Sequence, residues 1–395
     1  TRSASLLPLQ NLGLIIVDEE HDSSYKQEDP TPHYHAKDLL LWRARQLKIP
    51  IILGSATPSL ESRELVEQKK IRLVEMRERI HNRPLPQVEL VDMKEVARRF
   101  QKSLISPQLR EAILDVREEG GQTILLHNRR GYAPAWSCEQ CGESVRCPNC
   151  DIPLTYHQKR QQLHCHWCDR LLSPQQPCRR CGHRHYRPVG FGIEQVEEEL
   201  LEWFPDLKLS RFDRDTTAKS GELERILDQF RSGETELLLG TQMVAKGHDF
   251  PRVQLVGVVS ADAGLAIPDF RAGERMFQLL TQVAGRAGRG ERSGRVILQT
   301  YSPNEPILQW ALHHDYEGFR EVERRQRKQH GYPPFTRMVE VELSSKNERE
   351  VRQKGDQLAN RLRATMKKEE QEELLGPAEA PIYMVKQRYR IRLLY

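Results

Sequence analysis

The chain has 395 residues, 38% of them hydrophobic and 30% charged, and its 61 Lys and Arg against 56 Asp and Glu leave a net charge of +5 and a pI near 8.7. This is the composition of a soluble, globular protein of two or three domains; the apolar run at 12–17 is far too short to span a bilayer and no stretch reads as a signal peptide, so a cytoplasmic protein with no membrane partner is expected. So small a net charge is no argument for a polyanion partner, and any nucleic-acid role has to rest on local features.

The chain opens on Thr1 and closes on a strand-like run at 389–395, so it is read as a fragment. Residues 12–17 form an apolar, β-branched run, as in a strand buried on both faces. A helix is expected over 38–47 and a second short strand over 49–53, ending in Gly54-Ser55-Ala56-Thr57-Pro58. Strands alternating with helices predict a parallel α/β sheet. The charged stretch 76–104, with Pro84 and Pro86, reads as a connection. A second α/β pattern follows: a helix over 107–118 stopped by Gly120-Gly121, a strand over 123–127, and a break at Gly131. The pattern resumes near Gly192 with helices over 193–203 and 222–231 and strands over 207–212, 236–239, 255–260 and 296–300. Beyond Pro303, one long polar helix over 305–329, a half-exposed strand over 337–344 and a charged helix over 347–373 predict a small α+β domain.

The break holds all 8 cysteines. They form four C-x-x-C pairs: Cys138/Cys141, Cys147/Cys150, Cys165/Cys168 and Cys178/Cys181. Two such knuckles complete one tetrahedral thiolate site, so eight cysteines predict two Zn²⁺ per chain. Disulfides would need an oxidising compartment, and an iron–sulfur cluster is the alternative use of the same thiolates. A nested pairing, 147/150 with 165/168 and 138/141 with 178/181, leaves room for a hairpin between the inner knuckles and is preferred to a sequential one. Residues 138–188 carry eight Arg or Lys against four Asp or Glu, among them Lys159, Arg160, Arg180, Arg184 and Arg187 near Tyr186. Such a skin suits DNA phosphates, or is the solvated surface of a zinc clip.

Asp18-Glu19-Glu20-His21 follows the first strand directly. Carboxylates at the carboxyl end of a parallel strand face the ligand crevice, where Asp18 suits a Mg²⁺ ligand and Glu19 a water-positioning base. Ser55-Ala56-Thr57 ends the next strand, where small hydroxyls suit sensing of the nucleotide. Gln282-Val-Ala-Gly285-Arg286-Ala-Gly288-Arg289-Gly290 places arginines among glycines, as phosphate-facing fingers require. This run resembles motif VI of superfamily 2 helicases, with Arg289 the first choice of finger and Arg286 the second. Gly240-Thr241-Gln242-Met243-Val244-Ala245-Lys246-Gly247-His248-Asp249 follows a strand and resembles motif V.

These motifs, with 126–132, the cysteine insertion and Arg211-Phe212-Asp213-Arg214-Asp215-Thr216-Thr217, resemble one family over nearly the whole chain: PriA, the replication restart DNA helicases. The resemblance implies two RecA-like lobes, the first incomplete, a zinc insertion in the second, and a C-terminal α+β domain. The corresponding boundaries are 1–75, a connection over 76–104, 105–302 with the insertion at 134–190, and 303–395. It implies ATP-dependent 3′-to-5′ unwinding at stalled or abandoned replication forks. ATP and Mg²⁺ are the implied cofactors besides zinc, with Gln282, Gly240, Thr241 and Gly247 at the nucleotide. Forked and single-stranded DNA, single-strand DNA-binding protein and other primosome proteins are the implied partners. Tyr25, Tyr34, His33 and His35 resemble the family's aromatic-rich loop, and with Lys246 are candidate DNA contacts; the alternative is an ordinary loop crowded by Pro30 and Pro32. No G-x-x-x-x-G-K-[ST] occurs in the chain. The phosphate-gripping loop is therefore expected upstream, and the chain alone is expected to be inactive. A zinc-dependent binding platform without motor activity and a superfamily 2 translocase on RNA are the competing readings.

Overall fold

The computed structural model describes all residues except 1, 28–30, 77–84, 101–102, 128–134, 158–160, 166, 175, 190, 214–215, 218–220, 242–249, 266–268, 289–293 and 368–372, and the counts below are of the described residues. In the first lobe, β1 (Ile15–Val17) pairs in parallel with β4 (Ile51–Leu53). Between them lie a short hairpin, β2 (Lys26–Gln27) with β3 (Tyr34–His35), and α1 (Ala36–Leu47). Leu40 and Ala44 of α1 pack with Ile15, Val17, Ile51 and Leu53. The first strand was expected to be buried on both faces. Instead Ile16 is 65% exposed, because this packing covers only the face that Ile15 and Val17 share. Helix α2 (Leu60–Glu67) starts at Ser59, whose hydroxyl accepts from the Ser62 N–H.

The second lobe is a parallel sheet in the order β12-β13-β6-β14-β15-β5. Its strands are β5 (Gln87–Asp92), β6 (Gln122–Leu126), β12 (Leu209–Phe212), β13 (Leu237–Gly240), β14 (Val253–Val258) and β15 (Arg295–Thr300). The period of two sorts their side chains between two cores. Ile124, Leu126, Leu238, Val256, Val258, Val296 and Leu298 face α6 (Glu222–Ser232), α7 (Ala272–Ala284) and α8 (Pro306–Leu312). Leu125, Leu237, Leu239, Leu255 and Ile297 face α3 (Met93–Arg99), α4 (Pro107–Glu118) and α5 (Ile193–Trp203). A continuous apolar run is what a strand with helices on both sides needs. Gly257 lets β14 lie under α4, since a Cβ there would come within 2.4 Å of Leu125 Cδ2 and 2.9 Å of Leu109 Cδ1.

Two expectations change. Within the stretch 76–104, read as a connection, residues 87–99 form β5 and α3: β5 pairs with β15 over six residues, and Met93 and Val96 enter the core. The expected single helix over 305–329 is two, α8 and α9 (Tyr316–Gln329). His314 takes a left-handed φ of 53° between them, and Asp315 caps α9 through the Gly318 N–H.

The insertion leaves the second lobe between β6 and α5 as a five-stranded antiparallel sheet, β7 (Ala135–Cys138), β8 (Thr155–His157), β9 (Gln162–His164), β10 (Leu171–Leu172) and β11 (Tyr186–Val189), ordered β10-β9-β8-β7-β11. The C-terminal domain has β16 (Glu340–Ser345), β17 (Leu375–Val385) and β18 (Arg388–Leu394), with β18 central, and α10 (Glu348–Thr365) across them.

Helix α9 clasps the first lobe. Its exposed edge pairs Glu317 with Arg63, Arg320 with Glu67 and Arg324 with Glu64 of α2. Its inner face buries Arg327, which donates to Glu274 of α7 at 2.7 Å and to Glu323 at 2.8 Å. Glu274 also accepts the Leu60 N–H at 2.9 Å. Removing one member of such a buried cluster strands the other charges. Arg327→Ala should therefore cost about 3–5 kcal/mol, whereas Glu317→Ala, at the exposed edge, should cost about 1 kcal/mol or less. Urea unfolding followed by circular dichroism measures both, and equal shifts in midpoint would contradict the clasp.

Candidate functional site: an interlobe cleft and a double thiolate module

The polypeptide leaves β1 at Val17 and turns sharply, with Glu19 at a left-handed φ of 47°. Asp18 Oδ1 accepts the Glu19 N–H at 3.0 Å, and Tyr25 donates its hydroxyl to the Asp18 carbonyl at 2.6 Å. Gly54 N–H donates to Val17 O, and Glu20 N–H to Gly54 O, so the turns after β1 and β4 are stitched together. His21 Nδ1 lies 2.6 Å from Ser55 Oγ, which accepts the Thr57 N–H. The acidic turn and the Ser-Ala-Thr turn are thus one hydrogen-bonded unit.

Within that turn the three carboxylates separate. Asp18 is exposed and Glu19 half-exposed, while Glu20 is buried. Glu20 accepts from Lys37 Nζ at 2.7 Å, Ser59 N–H at 2.6 Å, Ser59 Oγ at 2.9 Å and Ser62 Oγ at 2.7 Å. Burial works to raise the Glu20 pKa, but the Lys37 charge and these donors outweigh it and hold the carboxyl below its ordinary value. Glu20 anchors the turn to α1 and α2 and frees its two neighbours to face outward. Neither Lys37 nor Glu20 carries a sequence signal for this role, because the lysine is simply the second residue of a helix.

The cleft between the lobes has a volume of about 380 Å³; Glu20, His35, Lys37, Arg271, Glu274 and Gln282 are among its lining residues. Gln282 of α7 reaches across and donates to Glu19 Oε1 at 3.4 Å, and Gln278 donates to the Thr57 carbonyl at 3.5 Å. Two residues singled out 263 positions apart therefore meet. Arg271, which the sequence did not single out, donates to Glu61 at 3.1 Å across the same cleft. Arg286 follows α7 and is buried. Gly240 ends β13, where its carbonyl accepts the His127 N–H, and the Thr241 N–H donates to Phe212 O. Neither of these two lines the cleft. Tyr25 packs its ring beside Ile15 and Ala44, and Tyr34 sits half-buried in β3. Burial lowers the pKa of the neighbouring His35. Arg289, Gly247 and Lys246 lie outside the described residues, as do Lys159, Arg160 and the run 128–134.

In the insertion the thiols gather as the nested pairing requires, Cys138, Cys141, Cys178 and Cys181 in an outer site and Cys147, Cys150, Cys165 and Cys168 in an inner one. The chain after three of the four knuckles turns through a left-handed residue, Gly142 (φ 72°), Asp169 (φ 59°) and Gly182 (φ 74°). Their N–H groups donate back to the carbonyls of Cys138, Cys165 and Cys178. Sulfur separations of 3.6 Å (138–181 and 141–178) and 3.7 Å (147–168) exclude disulfides, which need about 2.05 Å. They match the edge of about 3.8 Å of a tetrahedron with Zn–S bonds of about 2.3 Å. Burial, with the neighbouring sulfurs, pushes the Cys147 thiol up to about 11 and that of Cys150 to about 12. The fit to two Zn²⁺ is therefore good. Apolar support is thin: three of the five fully buried members of this core are the cysteines themselves. Trp136 stacked on Tyr156 at 4.1 Å supplies much of the rest.

Three family signatures match in chain order: the PriA DNA helicase Cys-rich region (CRR) domain at 147–171, the helicase conserved C-terminal domain at 191–291 and the primosomal protein N C-terminal domain at 328–395. The replication restart protein PriA of Bacillus subtilis (strain 168) is 43% identical over 389 residues, which are 98% of this chain and 48% of that protein. Its counterpart in Haemophilus influenzae is 40% identical over 394 residues, 100% of this chain and 53% of that one. The chain thus spans about half the length of these relatives. Among solved structures, RecG bound to a three-way DNA junction aligns with a TM-score of 0.42 and 17% identity over 82% of this chain and 32% of its own. S. cerevisiae Dbp5 bound to RNA and ADP BeF3 aligns with a TM-score of 0.41 and 14% identity over 82% of this chain and 65% of its own. The relatives align over essentially all of this chain, cysteine module and C-terminal domain included, and on that ground the chain belongs to the PriA family of replication restart proteins.

Proposed function

We propose that this chain supplies the second lobe and part of the first of an ATP-dependent 3′-to-5′ DNA helicase, acting at stalled or abandoned replication forks to restart replication through primosome assembly. The observation that carries the reading is the approach of Gln282 to Glu19 across the cleft, at 3.4 Å. A glutamine of one lobe that grips the candidate base of the other couples lobe closure to that base. When bound, ATP with Mg²⁺ supplies the phosphoanhydride whose hydrolysis drives movement. Asp18, exposed on the acidic turn, would hold the metal. Glu19 orients and deprotonates the attacking water, while Glu20 keeps the turn rigid from below. Arg289, and Arg286 as second choice, stabilises charge on the transferred phosphoryl group. His21 and Ser55 relay the state of the turn towards α2. Gly240, Thr241 and Gly247 belong to the motif V side of the site.

The functional boundaries are 1–75, 76–104, 105–302 with the insertion at 134–190, and 303–395, with 87–99 joining the second lobe as sheet edge. Single-stranded and forked DNA is the substrate; Tyr25, Tyr34 and Lys246 are its candidate contacts. Single-strand DNA-binding protein and further primosome proteins are the partners that the family reading supplies.

Metal content is the first test. Mass spectrometry of the pure chain should give two zinc ions and no iron, and Cys147→Ser should give one, since removing a thiolate opens one tetrahedral site. One zinc in the unaltered chain would refute the two-site reading. Motor chemistry is the second, in the full-length protein. Arg289→Ala should lower DNA-stimulated ATP turnover by about 10³-fold or more while both zincs and DNA binding persist. Glu19→Gln should bind ATP and Mg²⁺ but stall before hydrolysis, and Asp18→Asn should raise the Mg²⁺ requirement. Normal fork unwinding by both Arg289→Ala and Arg286→Ala would overturn the finger assignment, and a full-length protein that neither turns over ATP nor unwinds forks would leave a zinc-dependent platform as the better account.

A further inference from the structure

In the inner site Cys147 accepts the backbone N–H of Asn149, two residues on, at 3.4 Å. Cys150 differs. Its sulfur accepts the N–H of Lys386 at 3.2 Å, from a residue 236 positions away in the C-terminal domain.

Lys386 and Gln387 form the turn between β17 and β18, flanked by the pair Val385–Arg388. Both are left-handed, with φ of 50° and 60°, as a two-residue hairpin turn demands. The hairpin seats on the inner knuckle like an added strand. Asp151 N–H donates to the Met384 carbonyl at 2.7 Å, and Gln387 N–H donates to the Asn149 carbonyl at 2.7 Å. Val385 packs into the small core that holds Cys147, Cys150 and Cys165. Cys150 itself is fully buried. A tetrathiolate around Zn²⁺ carries a net charge of −2, and each N–H aimed at a sulfur offsets part of it.

We infer that the Lys386–Gln387 turn belongs to the inner zinc site, so that zinc retention there and docking of the C-terminal sheet are one linked equilibrium. Zinc orders the 147–150 knuckle on which the hairpin sits. The hairpin in turn supplies to Cys150 what the knuckle's own backbone supplies to Cys147. Linkage is reciprocal: whatever weakens one weakens the other by the same factor. Among the described residues no hydrogen bond ties the outer site to the C-terminal domain, so it serves as an internal control. The inference rests on two zinc ions being bound, and the metal count of the unaltered chain tests that separately.

Lys386→Pro removes the N–H and cannot adopt the positive φ, whereas Lys386→Gly keeps both. Zinc release to a chromogenic chelator, followed in time, should show one of two zincs leaving on the order of ten-fold faster or more in Lys386→Pro, with wild-type release in Lys386→Gly. Wild-type release of both ions in Lys386→Pro, or equal acceleration of both, overturns the inference. The reverse direction needs no change to the hairpin. Cys168→Ser should raise deuterium uptake at amides 384–387, and Cys181→Ser should leave it unchanged. Unaltered uptake in Cys168→Ser, or an equal rise in both variants, likewise overturns it.

Discussion

One carboxylate joins the parts of this molecule that would otherwise move independently. Glu274, on a helix of the second lobe, accepts the Leu60 N–H from the first lobe and the Arg327 guanidinium from the helix that leads to the C-terminal domain. All of this takes place out of water, where an unmatched charge is costly and a matched one fixes geometry. The geometry it fixes is functional. Leu60 begins the helix whose cap, Ser59, also donates to Glu20, so the interlobe joint and the acidic turn share adjacent residues. A shift of one lobe against the other pulls on the turn that presents Asp18 and Glu19. Gln282, two turns further along the helix of Glu274, then touches Glu19 directly. The cleft is held from both ends of one helix.

The cysteine module solves a different problem. Its strands are two to four residues long and its apolar core is small. Thiolate–zinc bonds therefore stand in for the hydrophobic burial that a sheet of this size cannot supply. The module also does not end at its own boundary. The C-terminal hairpin closes over the inner knuckle, which joins the inner thiolate site to the C-terminal sheet. The family's three signatures thus describe segments that the fold brings into contact.

Much of this was legible in the residues. Period and length marked the parallel strands, because a strand covered on both faces must be apolar at every position. Cysteine spacing marked both metal sites and even their nesting, because a two-residue gap admits only a tight knuckle and a hairpin needs room between knuckles. Motif spacing marked Glu19 and Gln282, which the structure does bring together. Other features were not legible because their cause lies far along the chain. The edge strand at 87–92 reads as a charged connection, since an edge position is half-exposed and only its partner, some 200 residues on, makes it a strand. The helix expected over 305–329 breaks where His314 turns left-handed and Asp315 offers a new cap, so that α9 can turn back onto α2. The division of labour among Asp18, Glu19 and Glu20 depends on Lys37, Ser59 and Ser62, none of which has a spacing that announces it. The sequence by itself determined most of the elements and the thiolate sites, because those follow from local periodicity and ligand chemistry, and its motifs carried the resemblance to the family. Only the tertiary structure decided which carboxylate is buried, which helix joins the lobes and which backbone N–H reaches Cys150, because each depends on groups brought together by folding across tens to hundreds of residues.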